Sequence, residues 1–348
     1  VFFGSNGLGL QQSTYLANAA AELLVKTGHF GKANNGLIPV WPKANTQGAW
    51  DMGLRPAPDL AERLSQAKAA YIVAADPAGD DPALASALEQ AGFVIVQELF
   101  LNETTKYADL VLPAAAYSER EGTFTNGERR VQRYYPVTTP RGNAHTDFAI
   151  TAQLAGRLGL ELPGAAASLV MEQISREVPA YAGLTYQKLA EVQEQWPIIG
   201  RSDMYYGGTG YENKQGLGVQ LPRAAERGES VALNAVDAPV LPAVPAGWLL
   251  VIPVARLYDQ GTTLRPTTLL AGRMARAELG LNPETAAKLG LQSGAEVLLQ
   301  GKDWSARAVV RVAEHLPAAI GLVPRSAGVP VHEPTAVQIE TVQVEVKA

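Results

Sequence analysis

The chain has 348 residues, a formal net charge of −5 and no cysteine. Its length is enough for about two domains of roughly 150 residues, and the missing thiols exclude disulfides, thiolate nucleophiles, thiolate zinc sites and Cys-held iron–sulfur clusters within these residues. The mild acidity argues against a general nucleic-acid or anionic-membrane surface. No apolar run approaches the roughly 20 residues of a bilayer-spanning helix, and His29, His145, His315 and His332 are too scattered for a paired-His metal motif.

Val1-Phe2-Phe3-Gly4 lacks the basic and apolar regions of a signal peptide and reads as a strand entered in its middle. With no initiator Met, the chain is expected to be a piece of a longer polypeptide. The turn Gly4-Ser5-Asn6-Gly7-Leu8-Gly9 precedes a helix with an apolar stripe of Leu16, Ala19, Ala20, Leu23 and Leu24, and Gly28 stands at its C-cap. Lys32 to Pro58 is expected to be a loop. Ala70 to Ala75 reads as a buried strand, and Asp81 caps a helix that opens at Pro82 and ends before Gly92. Strands at Phe93 to Gln97 and Leu110 to Leu112, with a short helical stretch from Asn102 to Tyr107, complete an alternation that predicts a parallel sheet with helices on both faces.

Residues 141 to 200 carry a helical pattern, with Phe148, Ile150, Leu154 and Leu158 on one face. Gly207-Gly208-Thr209-Gly210 followed by Pro222, Pro239, Pro242 and Pro245 marks an irregular connection. From Trp248 the period changes to two. Glu296 to Gln300, Ser305 to Ala313 and Val337 to Val346 read as strands, interrupted by a helix capped by Asn282 and opened by Pro283, which predicts a β-barrel of about 100 residues. The expected division is therefore an α/β domain over 1–200, an irregular linker over 201–247 and a β-barrel over 248–348.

Two segments carry candidate chemistry. Gly4 to Gly9 sits between a strand and a helix, where a phosphate cradle belongs, but its spacing is Gly-x-x-Gly-x-Gly rather than the dinucleotide pattern, which favours an unliganded tight turn. Beyond Pro113, at the expected carboxyl edge of the parallel sheet, Glu119, Arg120, Glu121, Glu128, Arg129, Arg130 and Arg133 surround small polar residues. Such a cluster can be a site for a phosphorylated or polycyclic ligand, with Arg forks for phosphate and Thr123 and Asn126 for orientation, or a surface ion-pair network with Gly122 and Gly127 in turns.

The run Ala108 to Gln132, with its Ala-Asp-x-Val-Leu-Pro, Glu-Gly-Thr-x-x-Asn and Glu-x-Arg-Val-Gln segments, resembles the molybdopterin oxidoreductase family. So do Asn45-Thr46-Gln47-Gly48-Ala49 with Asp51-Met52-Gly53, Gly28-x-x-Gly31, and in the barrel Asn282-Pro283, Ala286, Leu289-Gly290 and Gly294. The resemblance implies the later part of a split α/β domain followed by a double-psi-like barrel. Within the family, Leu257-Tyr258-Asp259-Gln260-Gly261 is similar to the large iron–sulfur subunit of NADH-quinone oxidoreductase, respiratory complex I. That likeness implies a non-redox scaffold at the cytoplasmic side of the inner membrane, docked to other peripheral-arm subunits. It implies no cofactor on these residues and iron–sulfur clusters in an upstream segment.

The alternative the family implies is a catalytic molybdenum or tungsten enzyme with bis-pterin dinucleotide, of formate dehydrogenase or nitrate reductase type. Thr104, Asp109, Gly122, Thr123, Asn126, Arg129 and Arg130 would then line the pterin and its phosphates. A third expectation, from the glycine turn alone, is an independent nucleotide-binding module.

Overall fold

A computed structural model describes residues 1–30, 35–190, 218–223, 225–228 and 232–342. The chain starts with β1 (Phe2–Gly4) and α1 (Leu10–Lys26). The helix closes at Gly28, whose φ of +66° lets the His29 amide reach back to the Leu24 carbonyl at 2.9 Å. The expected loop then supplies β2 (Ile38–Val40) and α2 (Thr46–Asp51), followed by α3 (Leu60–Ser65). β2 runs parallel to β1, with Phe2 opposite Ile38, and these two strands form a sheet of their own.

β3 (Ala70–Val73), β4 (Val94–Glu98) and β5 (Leu110–Pro113) make a second sheet, in that order. Between β3 and β4 lie α4 (Pro77–Asp80) and α5 (Pro82–Gln90). α5 follows the expected start signal and α4 repeats it: the Asp81 and Asp76 carboxylates accept from the Ala83 and Gly79 amides, and Pro follows each cap. α5 buries Ala87 and Leu88, and Leu88 packs against Val94 and Val96 of β4. The parallel α/β arrangement is as predicted, but the single sheet is corrected to two. β1 takes its partner from the stretch read as a loop, so it does not extend the β3–β4–β5 sheet.

A third sheet holds the β6 (Gly122–Thr125) and β7 (Arg130–Tyr134) hairpin together with β8 (Val219–Gln220), all antiparallel. The segment expected at the carboxyl edge of the parallel sheet is thus a hairpin, for which Asn126-Gly127 is the sequence signal. α6 (Asp147–Arg157), α7 (Ala167–Glu177) and α8 (Tyr186–Ala190) realise the helical pattern over the described part of 141–200. Met171, Tyr181, Leu184 and Leu189 pack with Val131 and Leu221 into one core. The glycine run at 207–210 and residues 191–217 generally lie outside the described residues.

β9 (Leu249–Val254), β10 (Glu278–Leu281), β11 (Glu296–Gln300), β12 (Ser305–Val312), β13 (Ile320–Pro324) and β14 (Thr335–Thr341) close a six-stranded barrel in the order β10-β12-β11-β14-β9-β13. The pairs β9–β13 and β10–β12 are parallel and the rest antiparallel. α9 (Pro283–Lys288) starts at Asn282, whose side chain accepts from the Glu284 amide at 2.9 Å. The period-two pattern points Leu249, Val251, Val297, Leu299, Val310 and Val337 into one core. Each such side chain contributes about 1.5–3 kcal/mol by leaving water.

The chain folds into two compact units that interleave in sequence. One gathers Val1–Gly4, Ala20–Pro56 and Leu112–Asn234, and the other Ser5–Ala19, Ala57–Val111 and Ala235–Ala348.

Candidate functional site

In the first unit the β6–β7 turn is built around Asn126. Its Oδ1 accepts from the Glu128 amide at 3.0 Å and the Arg130 amide at 2.9 Å, and its own amide donates to the Arg130 carbonyl at 3.0 Å. Arg129 takes φ +61°, an arrangement that costs a non-glycine residue of order 1 kcal/mol and persists because these bonds over-determine the turn. Gly127 lies against β2: a Cβ there would fall 2.5 Å from the Pro39 carbonyl oxygen, so only glycine permits the approach.

A second segment meets this turn. The Asn45 Oδ1, just ahead of α2, accepts from the Thr125 amide at 2.8 Å. Asp51, at the end of α2, accepts from Gln47 Nε2 at 3.0 Å on one oxygen and from the Tyr181 hydroxyl at 3.0 Å on the other. Tyr181 and Thr125 share a further hydrogen bond of 2.7 Å, and Trp41 Nε1 donates to Gln47 at 3.2 Å. Burial holds the Tyr181 hydroxyl far above the ordinary tyrosine range; the Thr125 hydrogen bond opposes this shift and the Asp51 charge adds to it. It therefore remains a proton donor.

Arg129 Nε stands 3.9 Å from Asp51 Oδ2, close enough for ionic attraction and too far for a hydrogen bond. The Arg129 side chain is 34% exposed. Nε of Arg120, Arg129, Arg130 and Arg133 is buried without a hydrogen-bond acceptor among the described residues.

Other members of the charged cluster are absorbed into the fold. Glu121 pairs with Arg133 at 2.7 Å, Arg120 pairs with Asp147, and Glu119 Oε2 accepts from the Ala116 amide at 2.8 Å. The Arg133 guanidinium lies 4.3 Å from the Tyr135 ring centre and 4.4 Å from that of Tyr186. The Tyr186 hydroxyl is pushed up to about 12, by burial first and by Glu121 next. The two readings of the cluster thus divide by residue: all four arginines keep an unsatisfied Nε, but Arg120 and Arg133 are tied to Asp147 and Glu121 in a structural network, while Arg129 comes no nearer to Asp51 than 3.9 Å and Arg130 donates to a backbone carbonyl. Gly122 makes room for the Tyr134 ring, Thr123 stands opposite Arg133 in the hairpin, and Arg130 Nη1 also donates to the Gly218 carbonyl at 3.3 Å.

Thr104 and Asp109 belong to the second unit, where both make internal bonds. Thr104 is fully buried; its amide and hydroxyl donate to Asp76 Oδ1 at 2.9 and 2.8 Å. Asp109 Oδ2 accepts from the Val94 amide at 2.7 Å. The glycine turn is likewise occupied by protein. Asn6 accepts from the Ala255 amide at 2.7 Å, Arg325 donates to the Leu8 carbonyl at 3.0 Å, and a Cβ at Gly9 would collide with the Glu333 side chain. A carboxylate beside the α1 N-terminus stands where a phosphate would have to sit, so the expectation of a nucleotide cradle there is corrected to a barrel-packing turn.

The second unit also holds a cavity of about 560 Å³ at the barrel, with Arg256, Arg273, Arg276, Arg311, His315 and Tyr258 among its lining. Glu278 meets Arg311 at 2.5 Å and Arg256 at 4.0 Å. One carboxylate against four guanidiniums leaves the cavity positive, and such a surface selects anions. Sequence reasoning missed this cavity and missed Asn45, Gln47, Asp51 and Tyr181. Asn45 to Gly53 was visible as a motif, whereas Tyr181 carries no sequence signal.

Residues 1–157 match the family model described as molybdopterin oxidoreductase. The chain is 28% identical over 353 residues to the F420-dependent formate dehydrogenase 2 subunit alpha of Methanococcus maripaludis, covering 89% of this chain and 51% of that protein. It is 28% identical to the F420-dependent formate dehydrogenase subunit alpha of Methanocaldococcus jannaschii, covering 91% and 52%. A putative formate dehydrogenase of Staphylococcus aureus is 27% identical, with 89% and 34% covered. The chain therefore spans about half the length of the first two relatives and a third of the last. Acetylene hydratase from Pelobacter acetylenicus matches in fold with a TM-score of 0.51 at 17% identity, over 76% of this chain and 38% of that one.

The relatives are formate dehydrogenase alpha subunits and a putative formate dehydrogenase, not the large iron–sulfur subunit of complex I, which overturns the expected scaffold role. They also remove the ground for expecting no cofactor on these residues, since residues 1–157 match the model of molybdopterin oxidoreductases.

Proposed function

We propose that this chain is part of a formate dehydrogenase-like enzyme carrying molybdenum or tungsten on a pterin dinucleotide, a reading supported by the match of residues 1–157 to the molybdopterin oxidoreductase model. The observation that carries the reading is the alignment of 89% and 91% of the chain with formate dehydrogenase alpha subunits. The residues fit such a group. Buried, unsatisfied Nε donors on the adjacent Arg129 and Arg130, and four arginines around the barrel cavity, are the donor chemistry that phosphate and pterin oxygens require.

When bound, the group supplies a metal able to accept the two electrons released as formate becomes carbon dioxide. The chain's part is to hold and orient it. Arg129 and Arg130 offer charge-assisted donors from a turn that Asn126 keeps rigid, so little side-chain freedom is lost on binding. In the barrel, Arg273, Arg276 and Arg311 offer further cationic contacts for phosphate.

The test is purification of the full-length protein from a host that makes the cofactor. Elemental analysis, fluorescence of the oxidised pterin and formate-dependent dye reduction are then measured. Stoichiometric metal and pterin with formate-dependent reduction is the expected result; protein free of both metal and pterin would overturn the reading.

A further inference from the structure

We propose that Tyr181 is a positioning residue that keeps Asp51 from neutralising Arg129, so that the Arg129 guanidinium stays available to an anionic ligand of the phosphate or pyrophosphate class. The ligand's identity rests on the function proposed above; the device itself rests on geometry within the first unit.

A tyrosine hydroxyl has one proton. Tyr181 places it on Asp51 Oδ2 at 3.0 Å and must therefore accept from Thr125 Oγ1 at 2.7 Å, giving a directed chain from Thr125 through Tyr181 to Asp51. Gln47 Nε2 holds the other Asp51 oxygen at 3.0 Å. Both carboxylate oxygens are thus pinned, and Oδ2 is held 3.9 Å from Arg129 Nε.

That separation matters. An Arg–carboxylate pair gains most when it closes to two parallel hydrogen bonds below about 3 Å, and Arg129 and Asp51 lie on adjoining pieces of backbone with a side chain one-third exposed. What prevents closure is the competing donor on Asp51. Tyr181 is only 3% exposed, so its ring is fixed by packing against Val131, Met171 and Leu189 and cannot follow Asp51 if the carboxylate swings. Loss of one oxygen atom should free Asp51 Oδ2 to collapse onto Arg129 and quench its charge.

The experiment measures pyrophosphate binding by calorimetry to the full-length, cofactor-free protein, beside pterin and metal content of the same variants made in a cofactor-producing host. Tyr181→Phe should weaken pyrophosphate binding about tenfold, and Arg129→Ala should weaken it at least as much. The decisive variant is Tyr181→Phe with Asp51→Asn. An asparagine has no charge to quench Arg129, so binding should return to the wild-type value, which a merely structural role for Tyr181 would not produce. Thr125→Ser keeps the hydrogen-bond chain and should bind normally, and it serves if the phenylalanine variant does not fold, with Thr125→Val as its weakened counterpart. Unchanged binding in Tyr181→Phe, or no rescue by Asp51→Asn, would overturn the proposal. Wild-type protein that binds pyrophosphate through Arg129 yet never carries metal or pterin would overturn the proposed function and leave this device standing.

Discussion

Asp76 offers the sharpest test of how the second unit holds together. It is 6% exposed, and its Oδ1 accepts from the Thr104 amide at 2.9 Å, the Thr104 hydroxyl at 2.8 Å and the Gly79 amide at 3.2 Å. Oδ2 faces Arg265 Nη1 at 3.3 Å. Asp76→Ala removes all four interactions. Loss of the α4 cap costs about 1 kcal/mol. Thr104 is wholly buried, so no water replaces the lost acceptor, and its two orphaned donors cost about 1–3 kcal/mol each. The expected destabilisation is about 3–7 kcal/mol. Asp76→Asn keeps Oδ1 as an acceptor and exchanges the charge facing Arg265 for an amide, so about 1–2 kcal/mol is expected. Urea unfolding followed by circular dichroism, with the slope checked for constancy, reads both values. An Asp76→Ala protein within about 1 kcal/mol of wild type, or equal damage from both substitutions, would refute the view that Thr104 and Asp76 form a buried structural hub.

Burial raises the Glu98 carboxyl above its ordinary value of 4.5, and the Asp76 charge adds to this while the Leu99 amide opposes it. Folded Glu98 therefore destabilises the protein once the pH rises above that ordinary value; Glu98→Gln should be the more stable protein at neutral pH, with the advantage fading toward about pH 4 in pH-dependent melting curves. Gly127→Ala would press a methyl against the Pro39 carbonyl and should cost about 1–3 kcal/mol by thermal unfolding; a neutral result would mean that the turn and β2 are not held in contact. Leu299→Ala in the fully buried barrel core should cost about 2–5 kcal/mol in urea. Removing Arg273 and Arg276 together should weaken pyrophosphate binding and flatten its salt dependence, and unchanged binding would show that the barrel cavity is not an anion site.

What the sequence revealed was whatever is encoded locally. Asp81-Pro82 announces α5, Asn282-Pro283 announces α9, and the alternation at Glu296 to Gln300 gives β11 to the residue. β2 was hidden because three residues with a proline at the centre, beside glycines and asparagines, have the composition of a loop, and only pairing with β1 makes them a strand. The glycine turn has the right neighbours for a phosphate cradle, but Glu333 comes from more than 300 residues away. Tyr181 is 130 residues from Asp51 and 56 from Thr125, so no local pattern could have joined them. The misassignment to complex I rested on Leu257 to Gly261. That stretch clamps a barrel loop: the Tyr258 carbonyl accepts from the Ala275 amide at 2.7 Å, and Gln260 Nε2 donates to the Ala275 carbonyl at 2.8 Å. A likeness there reports packing as readily as it reports activity.

The interleaved units constrain how the chain can be made. A ribosome delivers residues in order, yet the first unit needs residues as far as Asn234 and the second needs the last strand of the barrel. β14 sits between β9 and β11, so the keystone of the barrel is the last of its six strands to be made. Until then, two strand edges and an apolar interior stand open to neighbouring chains. A chain that stops before Thr335 should therefore aggregate.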